Sequence, residues 1–134
     1  MENNQLQIVS FEQAQRLKKL GFDWECDSCY WEDGEVDYHG NNNWNNVHPF
    51  SGIDEEIFSA PPVALALKWF RDEKYREYYR KKFHISLSRY GWRYKYIDID
   101  GFLDESLHFD TYEAAESALL DDILTHIENS HENH

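Results

Sequence analysis

The chain has 134 residues, and a single domain of this length buries roughly two-thirds of the surface that its unfolded chain exposes. Such a domain is stable without a disulfide or a metal. Its net charge of −13 excludes broad, sequence-independent DNA binding, because so many carboxylates repel phosphate. Its two cysteines are too few for a secreted disulfide framework, and its longest apolar run, 63–67, is far below the ~20 residues of a membrane span, so a cytoplasmic protein without a membrane partner is predicted.

The N-terminal segment predicts a helix over 10–20. Ser10 and Gln13 have the spacing of a capping box, apolar residues then recur on one face, and Gly21 ends the pattern. Residues 1–9 precede this start and are predicted to be frayed.

A hairpin is predicted next, with strands over 26–32 and 35–38. They flank Asp33 and Gly34, a dipeptide that favours a two-residue hairpin turn. Residues 40–58 begin with an Asn-rich run that has no periodicity, and they are predicted to form a long polar loop.

Two prolines open a second helix near residue 60, which is predicted to end between 74 and 81. Alternating apolar residues over 83–87 and 92–96, separated by Tyr90 and Gly91, predict a second hairpin, and 107–109 suits a third strand.

The last predicted helix spans 110–128. Asp110 and Glu113 have the spacing of a capping box, and apolar residues follow at helical intervals up to a frayed end at 129–134. The complete order is α-ββ-α-ββ(β)-α over one domain, 1–134. We therefore predict the α+β class, with an antiparallel sheet and helices packed on one face.

Charge is segregated along the chain. Residues 68–95 hold ten of the thirteen Lys and Arg residues and carry a net charge of +7, whereas the remainder carries −20. Such a basic strip either accepts an anionic partner or is neutralised by the protein's own carboxylates. Six cations of this strip are the candidate partner-binding residues: Arg80, Lys81, Lys82, Arg89, Arg93 and Lys95.

The second hairpin permits two binding modes and one structural alternative. Alternation places Arg93 and Lys95 on one face, with Arg89 nearby, and places Trp92, Tyr94 and Tyr96 on the other. The cations could contact phosphates, or the aromatics could form a stacking platform for exposed nucleic-acid bases. Alternatively, the aromatics belong to the core and the cations pair with nearby carboxylates.

A metal site is a weaker hypothesis. Cys26 and Cys29 with His39 and His48 give a C-x2-C-x9-H-x8-H pattern of zinc-ligand types, but structural zinc sites normally end in a closer histidine pair. The alternative is a pair of free thiols in a strand. The sequence shows no nucleophile elbow and no Gly-rich phosphate loop, so a non-enzymatic protein without a cofactor is predicted; carboxylate pairs assembled in space stay open.

Three parts of the chain resemble a family of uncharacterised small proteins from gut bacteria and their tailed phages. They are SFEQA at 10–14 with LGF at 20–22, SAP at 59–61 with ALALKWFR at 64–71, and FDTYEAA at 109–115. The resemblance covers about a third of the chain, implies a phage or mobile-element setting and carries no known activity. Residues 83–128 also resemble the three-strand-plus-helix DNA-binding units of some phage integrases, but here the helix is acidic.

The first functional hypothesis is an accessory or regulatory protein that docks a protein partner, or makes a local nucleic-acid contact, through 74–96. The second is an acidic nucleic-acid mimic that inhibits a basic host enzyme, using a row of carboxylates on the last helix: Glu113, Glu116, Asp121 and Asp122. The third is a small zinc-dependent protein that uses Cys26 and Cys29.

Overall fold

A computed structural model of the chain describes residues 7–38, 40–46, 55–75, 83–97 and 101–132. The chain forms two compact units, 1–65 and 66–134, and each contains a three-stranded antiparallel sheet. The α+β class and the antiparallel pairing are confirmed, with the strands divided between two sheets. The assignment of 1–134 to one domain stays a prediction.

The first unit begins with helix α1, Phe11–Lys19, and its predicted capping box is confirmed. Gln13 N donates to Ser10 Oγ at 3.1 Å, and Ser10 N donates to Gln13 Oε1 at 2.9 Å. The predicted fraying over 1–9 is wrong for the described residues 7–9, because Val9 is 0% exposed and its N–H donates to Pro61 O at 2.9 Å. Residues 1–6 lie outside the described residues.

The first sheet has the order β2-β1-β3 and contains the first predicted hairpin. Its strands are β1, Cys29–Trp31, β2, Val36–Asp37, and β3, Ile57–Ser59. The loop between β1 and β2 has three residues, not the predicted two, because Trp31 N donates to Glu35 O at 2.9 Å. Gly34 closes it with φ +90, the left-handed conformation that three-residue hairpin loops require.

The prediction of a loop throughout 40–58 is wrong at both described ends. A 3-10 turn forms at Trp44–Asn46 and β3 forms at Ile57–Ser59, while 47–54 lie outside the described residues. All three β3 residues are buried, so the strand shows no apolar and polar alternation by which its sequence could be recognised.

Two side chains close the free edge of β3. Ser59 N donates to Asn45 Oδ1 at 2.8 Å, and Asn45 N donates to Ser59 Oγ at 3.0 Å. Lys18 Nζ donates to Ile57 O at 2.9 Å. These bonds give polar partners to backbone groups that a further strand would otherwise pair with.

Helix α2, Val63–Trp69, starts three residues after the predicted position and passes into a π-helical turn, Phe70–Lys74. Tyr75 N donates to Phe70 O at 3.0 Å, the five-residue spacing of such a turn. Residues 76–82 lie outside the described residues, so a longer helix stays a prediction. Among the described helices, none combines the length and the apolar character that crossing a membrane requires.

The second sheet has the order β4-β5-β6 and confirms the second hairpin. Its strands are β4, His84–Ser88, β5, Gly91–Ile97, and β6, Leu103–Glu105. β4 and β5 pair over five residues without interruption, from His84 opposite Lys95 to Ser88 opposite Gly91. Gly91 has φ +125, a conformation that side-chain-bearing residues rarely adopt.

The third strand of this sheet is not the predicted 107–109. β6 ends at Glu105, Ser106 N donates to Tyr94 O at 3.0 Å, and the chain returns to the sheet only where Phe109 bridges Trp92. Leu107 and His108 therefore both lie opposite Arg93, which is the arrangement of a β-bulge.

The second unit ends with helix α3, Tyr112–Glu132, which packs on β5 and β4. Thr111 Oγ1 accepts a hydrogen bond from Ala114 N at 3.0 Å, so the helix is capped one residue later than the predicted pair of Asp110 and Glu113. The predicted frayed end at 129–134 is wrong up to residue 132, because the helix continues to Glu132; 133–134 lie outside the described residues.

Candidate binding surface

The two faces of β5 differ sharply in exposure. Tyr94 and Tyr96 are 6% and 1% exposed, whereas Lys95 between them is exposed and Arg93 is half-buried. Since successive side chains of a strand point to opposite faces, α3 covers the tyrosine face and the cations lie on the other. This is the division that alternation in the sequence predicts.

We call the side of the second sheet away from α3 the cationic face. In the described chain it is formed by the polar residues His84, Ser86, Ser88, Arg93, Lys95 and Glu105, with Ile97 and Leu103 at one end. Lys95 lies directly between His84 and Glu105 in the strand register, and Arg93 Nη1 is 3.4 Å from Glu105 Oε2.

The ion pair between Arg93 and Glu105 is weak. The two side chains are 39% and 44% exposed, and exposed pairs of this kind contribute roughly 0–1 kcal/mol. The predicted neutralisation by the protein's own carboxylates therefore occurs at Arg93, but a carboxylate from a partner could replace Glu105 at little cost.

The end of the same hairpin carries exposed apolar side chains beside a cation. We call Leu87, Arg89, Tyr90, Leu107 and His108 the hairpin tip. Leu87, Tyr90 and Leu107 are 64%, 71% and 86% exposed. Arg89 Cζ lies 5.3 Å from the centre of the Tyr90 ring, and the His108 ring meets the same tyrosine ring edge-on with 5.9 Å between the ring centres. Tyrosine and arginine are residue types that contribute strongly to the binding energy of protein interfaces, and contiguous exposed apolar side chains mark such surfaces.

The structure describes three of the six predicted partner-binding residues. Arg89, Arg93 and Lys95 belong to one hairpin, as predicted. The other three, Arg80, Lys81 and Lys82, lie outside the described residues, and their role stays a prediction.

Opposite the cationic face, a polar cluster ties α3 to the sheet. Tyr94 Oη donates to Asp122 Oδ2 at 2.7 Å, and His126 Nε2 lies 3.5 Å from Asp104 Oδ2 and 3.7 Å from Asp122 Oδ1. Burial, followed by the hydrogen bond and the charge of Asp122, raises the pKa of Tyr94 well above its usual value near 10. Asp122 thus contacts both Tyr94 and His126.

Sequence reasoning missed this cluster, because Tyr94 and Asp122 are 28 positions apart. The one local indication is the spacing of Asp122 and His126, four residues apart on a helix. Within the described ranges, no group of three His, Cys, Asp or Glu side chains is arranged to hold a metal ion.

Glu116 is an acidic residue of α3 that lies against the sheet. It is only 8% exposed and accepts a hydrogen bond from Tyr112, whose ring meets Trp92 edge-on at 5.3 Å. Burial raises the pKa of Glu116, the Tyr112 hydrogen bond opposes this increase, and the charge of Glu113 adds to it. The ionised form of Glu116 is thus disfavoured in the folded protein.

Glu116→Gln is expected to stabilise the protein at neutral pH. Because folding raises its pKa, the Glu116 carboxyl contributes most to the free energy of unfolding below its unfolded pKa of about 4.3, where it is protonated, and this contribution is lost as pH rises through the folded-state pKa. Glutamine keeps an acceptor for Tyr112 without the charge. We therefore expect the variant to gain roughly 0.5–1 kcal/mol in the free energy of unfolding at about pH 7.5, and we expect this gain to disappear near pH 4. Urea denaturation at both pH values measures it. Glu35→Gln, at an exposed position in the first unit, is the control, and a Glu116→Gln variant that is less stable than the wild type at neutral pH would contradict the assignment.

Cys26 and Cys29 are free thiols, 3% and 0% exposed. Burial raises the pKa of both, aided by the charge of Asp27 at Cys26 and of Asp37 at Cys29, and the pKa of Cys29 rises to about 11. Cys26 Sγ also donates to Ser28 O at 3.4 Å. The other two members of the proposed zinc set, His39 and His48, lie outside the described residues, so that hypothesis stays a prediction.

Both thiols are expected to resist alkylation in the folded protein. At about pH 8 the thiolate fraction of Cys29 is near one in a thousand, against about one in ten for an unfolded cysteine, so iodoacetamide should react on the order of 100-fold more slowly before unfolding. Mass spectrometry of alkylated Cys29 with and without urea gives the two rates. Equal rates would show that the thiols are accessible and their pKa values ordinary.

Comparison with protein-family models, with curated proteins and with solved structures found no match to the chain. The resemblance to small proteins of gut bacteria and their phages therefore stays a prediction.

Proposed function

We propose that the protein is a non-enzymatic binding protein that docks an acidic segment of another protein through the cationic face and the hairpin tip. The observation that carries the proposal is their juxtaposition on one hairpin: Arg89, Arg93 and Lys95 share it with the exposed Leu87 and Tyr90. Cations at the edge of an interface guide an acidic partner, and aromatic side chains that become buried supply much of the affinity.

The base-stacking mode is the less favoured use of this hairpin. Tyr94 and Tyr96 are buried on the face that α3 covers. Trp92 belongs to the same face, where its ring meets the Tyr112 ring of α3 edge-on. Stacking platforms must present aromatic faces to the solvent. The cations alone could contact phosphate, but the exposed leucines beside them favour a protein partner.

The nucleic-acid mimic finds less support in the geometry. Of the four α3 carboxylates proposed for it, Glu116 is 8% exposed and Asp122 accepts a hydrogen bond from Tyr94. Glu113 and Asp121 remain exposed, but two carboxylates do not make the spaced double row that a phosphate mimic needs.

Elemental analysis of the purified protein tests the zinc-dependent alternative. Near-stoichiometric zinc would support it.

Capture from a cell lysate tests the docking proposal. The tagged protein, an Arg89→Glu/Lys95→Glu variant and a Lys19→Glu/Lys68→Glu control are compared by quantitative mass spectrometry. The two variants have the same net charge, and all four lysines and arginines that change are exposed. Each capture is repeated with nuclease and between about 50 and 300 mM salt.

We expect an acidic protein that the wild type and the control retain and that the hairpin variant loses by about tenfold or more. Its capture should survive nuclease and weaken with salt. A basic partner, a partner lost on nuclease treatment, or equal capture by all three proteins would overturn the proposal.

A further inference from the structure

The four outer strands of the two described sheets differ in how their edges are protected. β2 has only two residues, β3 is closed by Lys18 and Asn45, and β6 has three residues before the bulge. β4 has five residues and, in the described part of the chain, pairs with β5 alone. Free strand edges present backbone groups in the arrangement that another strand binds.

The strand register shows which β4 backbone groups face outward. Ser88 and Gly91 close a two-residue hairpin loop, so they form a hydrogen-bonded pair, and such pairs alternate along an antiparallel ladder. Ser86 and His84 therefore also bond to β5. The N–H and C=O groups of Ile85 and Leu87 point away from β5, toward the open edge.

The side chains of β4 leave this edge accessible. The strand contains no lysine, proline, aspartate or glutamate, which are the residues that commonly block sheet edges. On the cationic face it presents Ser86 and Ser88, whose short side chains leave space above them. On the other face Leu87 is 64% exposed although it belongs to a sheet covered by a helix.

We propose that an extended segment of the protein partner adds to β4 as a fourth strand, an inference that rests on the proposed function and specifies its mode of binding. Two strand spacings, about 10 Å, separate the added strand from β5. Arg93 can cross this distance over Ser86 and Lys95 can cross it past His84, so acidic residues belong at alternate positions of the segment. Its intervening residues face Leu87 and are apolar. The partner chemistry is thus an extended peptide that alternates acidic and apolar residues.

A second copy of this chain suits the edge less well. It would place its own Arg93 and Lys95 on the same face of the joined sheet, and it would offer no carboxylate opposite Ser86. The combined charge of two chains, each −13, also opposes association.

Residue-resolved amide hydrogen exchange of the full chain, followed by NMR, tests the proposal. The probe is an eight-residue peptide of alternating valine and glutamate; the comparison peptides alternate valine and lysine, or hold four valines followed by four glutamates. We expect the alternating valine–glutamate peptide to slow exchange at Ile85 and Leu87 by about tenfold or more at saturation, with little effect from the other two.

Leu87→Pro and Leu87→Ala provide the matched variants. Both lose the leucine side chain, but only proline removes the outward N–H, at a position where an edge strand tolerates it. The alanine variant should bind the peptide more weakly but keep the peptide-induced protection at Ile85 at saturation, and the proline variant should lose it. If the proline variant does not fold, the exchange rates of Ile85 and Leu87 in the wild-type protein still show whether the peptide adds to β4.

The outcomes separate the two proposals. Binding that shifts the resonances of Arg93 and Lys95 without slowing Ile85 and Leu87 would overturn strand addition and leave the docking proposal standing. Equal protection by the valine–lysine peptide would preserve strand addition and overturn the acidic partner. Protection of both amides that grows with protein concentration before any peptide is added would assign the edge to a second copy and also overturn the inference.

Discussion

Gly91→Ala is expected to destabilise the protein by about 3 kcal/mol or more. Gly91 has φ +125, where a side chain adds strain of roughly 1–2 kcal/mol. An added Cβ would also lie 2.7 Å from Phe109 O. That oxygen cannot easily withdraw, because it accepts the Trp92 N–H at 2.8 Å in the bridge that returns the chain to the sheet after the bulge.

Gly101→Ala separates the strain from the collision. Gly101 has φ +88, and no atom of the described residues lies within 4 Å of the position its Cβ would take, so this variant should lose only the stability that the strain costs, roughly 1–2 kcal/mol. Urea denaturation of both variants measures the difference. If the two variants lose the same stability, the close contact between Gly91 and Phe109 O does not constrain the turn end of the hairpin.

Asn45→Ala is expected to lower the free energy of unfolding by about 2–4 kcal/mol. The amide accepts the Ser59 N–H at 2.8 Å and donates to Phe22 O at 2.9 Å, and Ser59 is 0% exposed. Removing Asn45 Oδ1 leaves a buried N–H without its acceptor, a penalty of roughly 1–3 kcal/mol before the second bond is counted.

Asn41→Ala is the matched control for Asn45→Ala. Asn41 belongs to the same Asn-rich run, but its Nδ2 donates to Glu25 Oε1 at 2.8 Å in an exposed position, so its loss should change stability by less than about 1 kcal/mol. Chemical denaturation compares the two. A similar cost at both positions would mean that Asn45 does not hold the edge of β3.

Local patterns in the sequence predict the elements whose determinants are close in the chain. The capping box of Ser10 and Gln13 satisfies two backbone donors within one turn, and alternation over 92–96 places the tyrosines and cations of β5 on opposite faces. β3 escapes such prediction because its three residues are all buried and show no period. The Asn-rich run indicates an irregular loop until Asn45 is seen to pair with Ser59, fourteen positions away.

The candidate surface is partly predictable for the same reason. The alternation of charge identifies Arg93 and Lys95 as one face, but it does not indicate that β4 pairs on one side only within the described chain or that Leu87 is exposed. The acidic positions of α3 look alike in sequence, and only the packing of the helix on the sheet turns Glu116 and Asp122 inward. Both properties depend on contacts between distant residues, which no local pattern encodes.

Hydrogen-exchange mass spectrometry of the chain, alone and with the captured partner, tests the docking claim most directly. We predict that slowed exchange is concentrated in peptides that cover β4, the hairpin tip and β5, and that the Arg89→Glu/Lys95→Glu variant lacks it. Protection confined to α3 or to the first unit, with residues 84–97 unchanged, would contradict the assignment of the second hairpin as the binding surface.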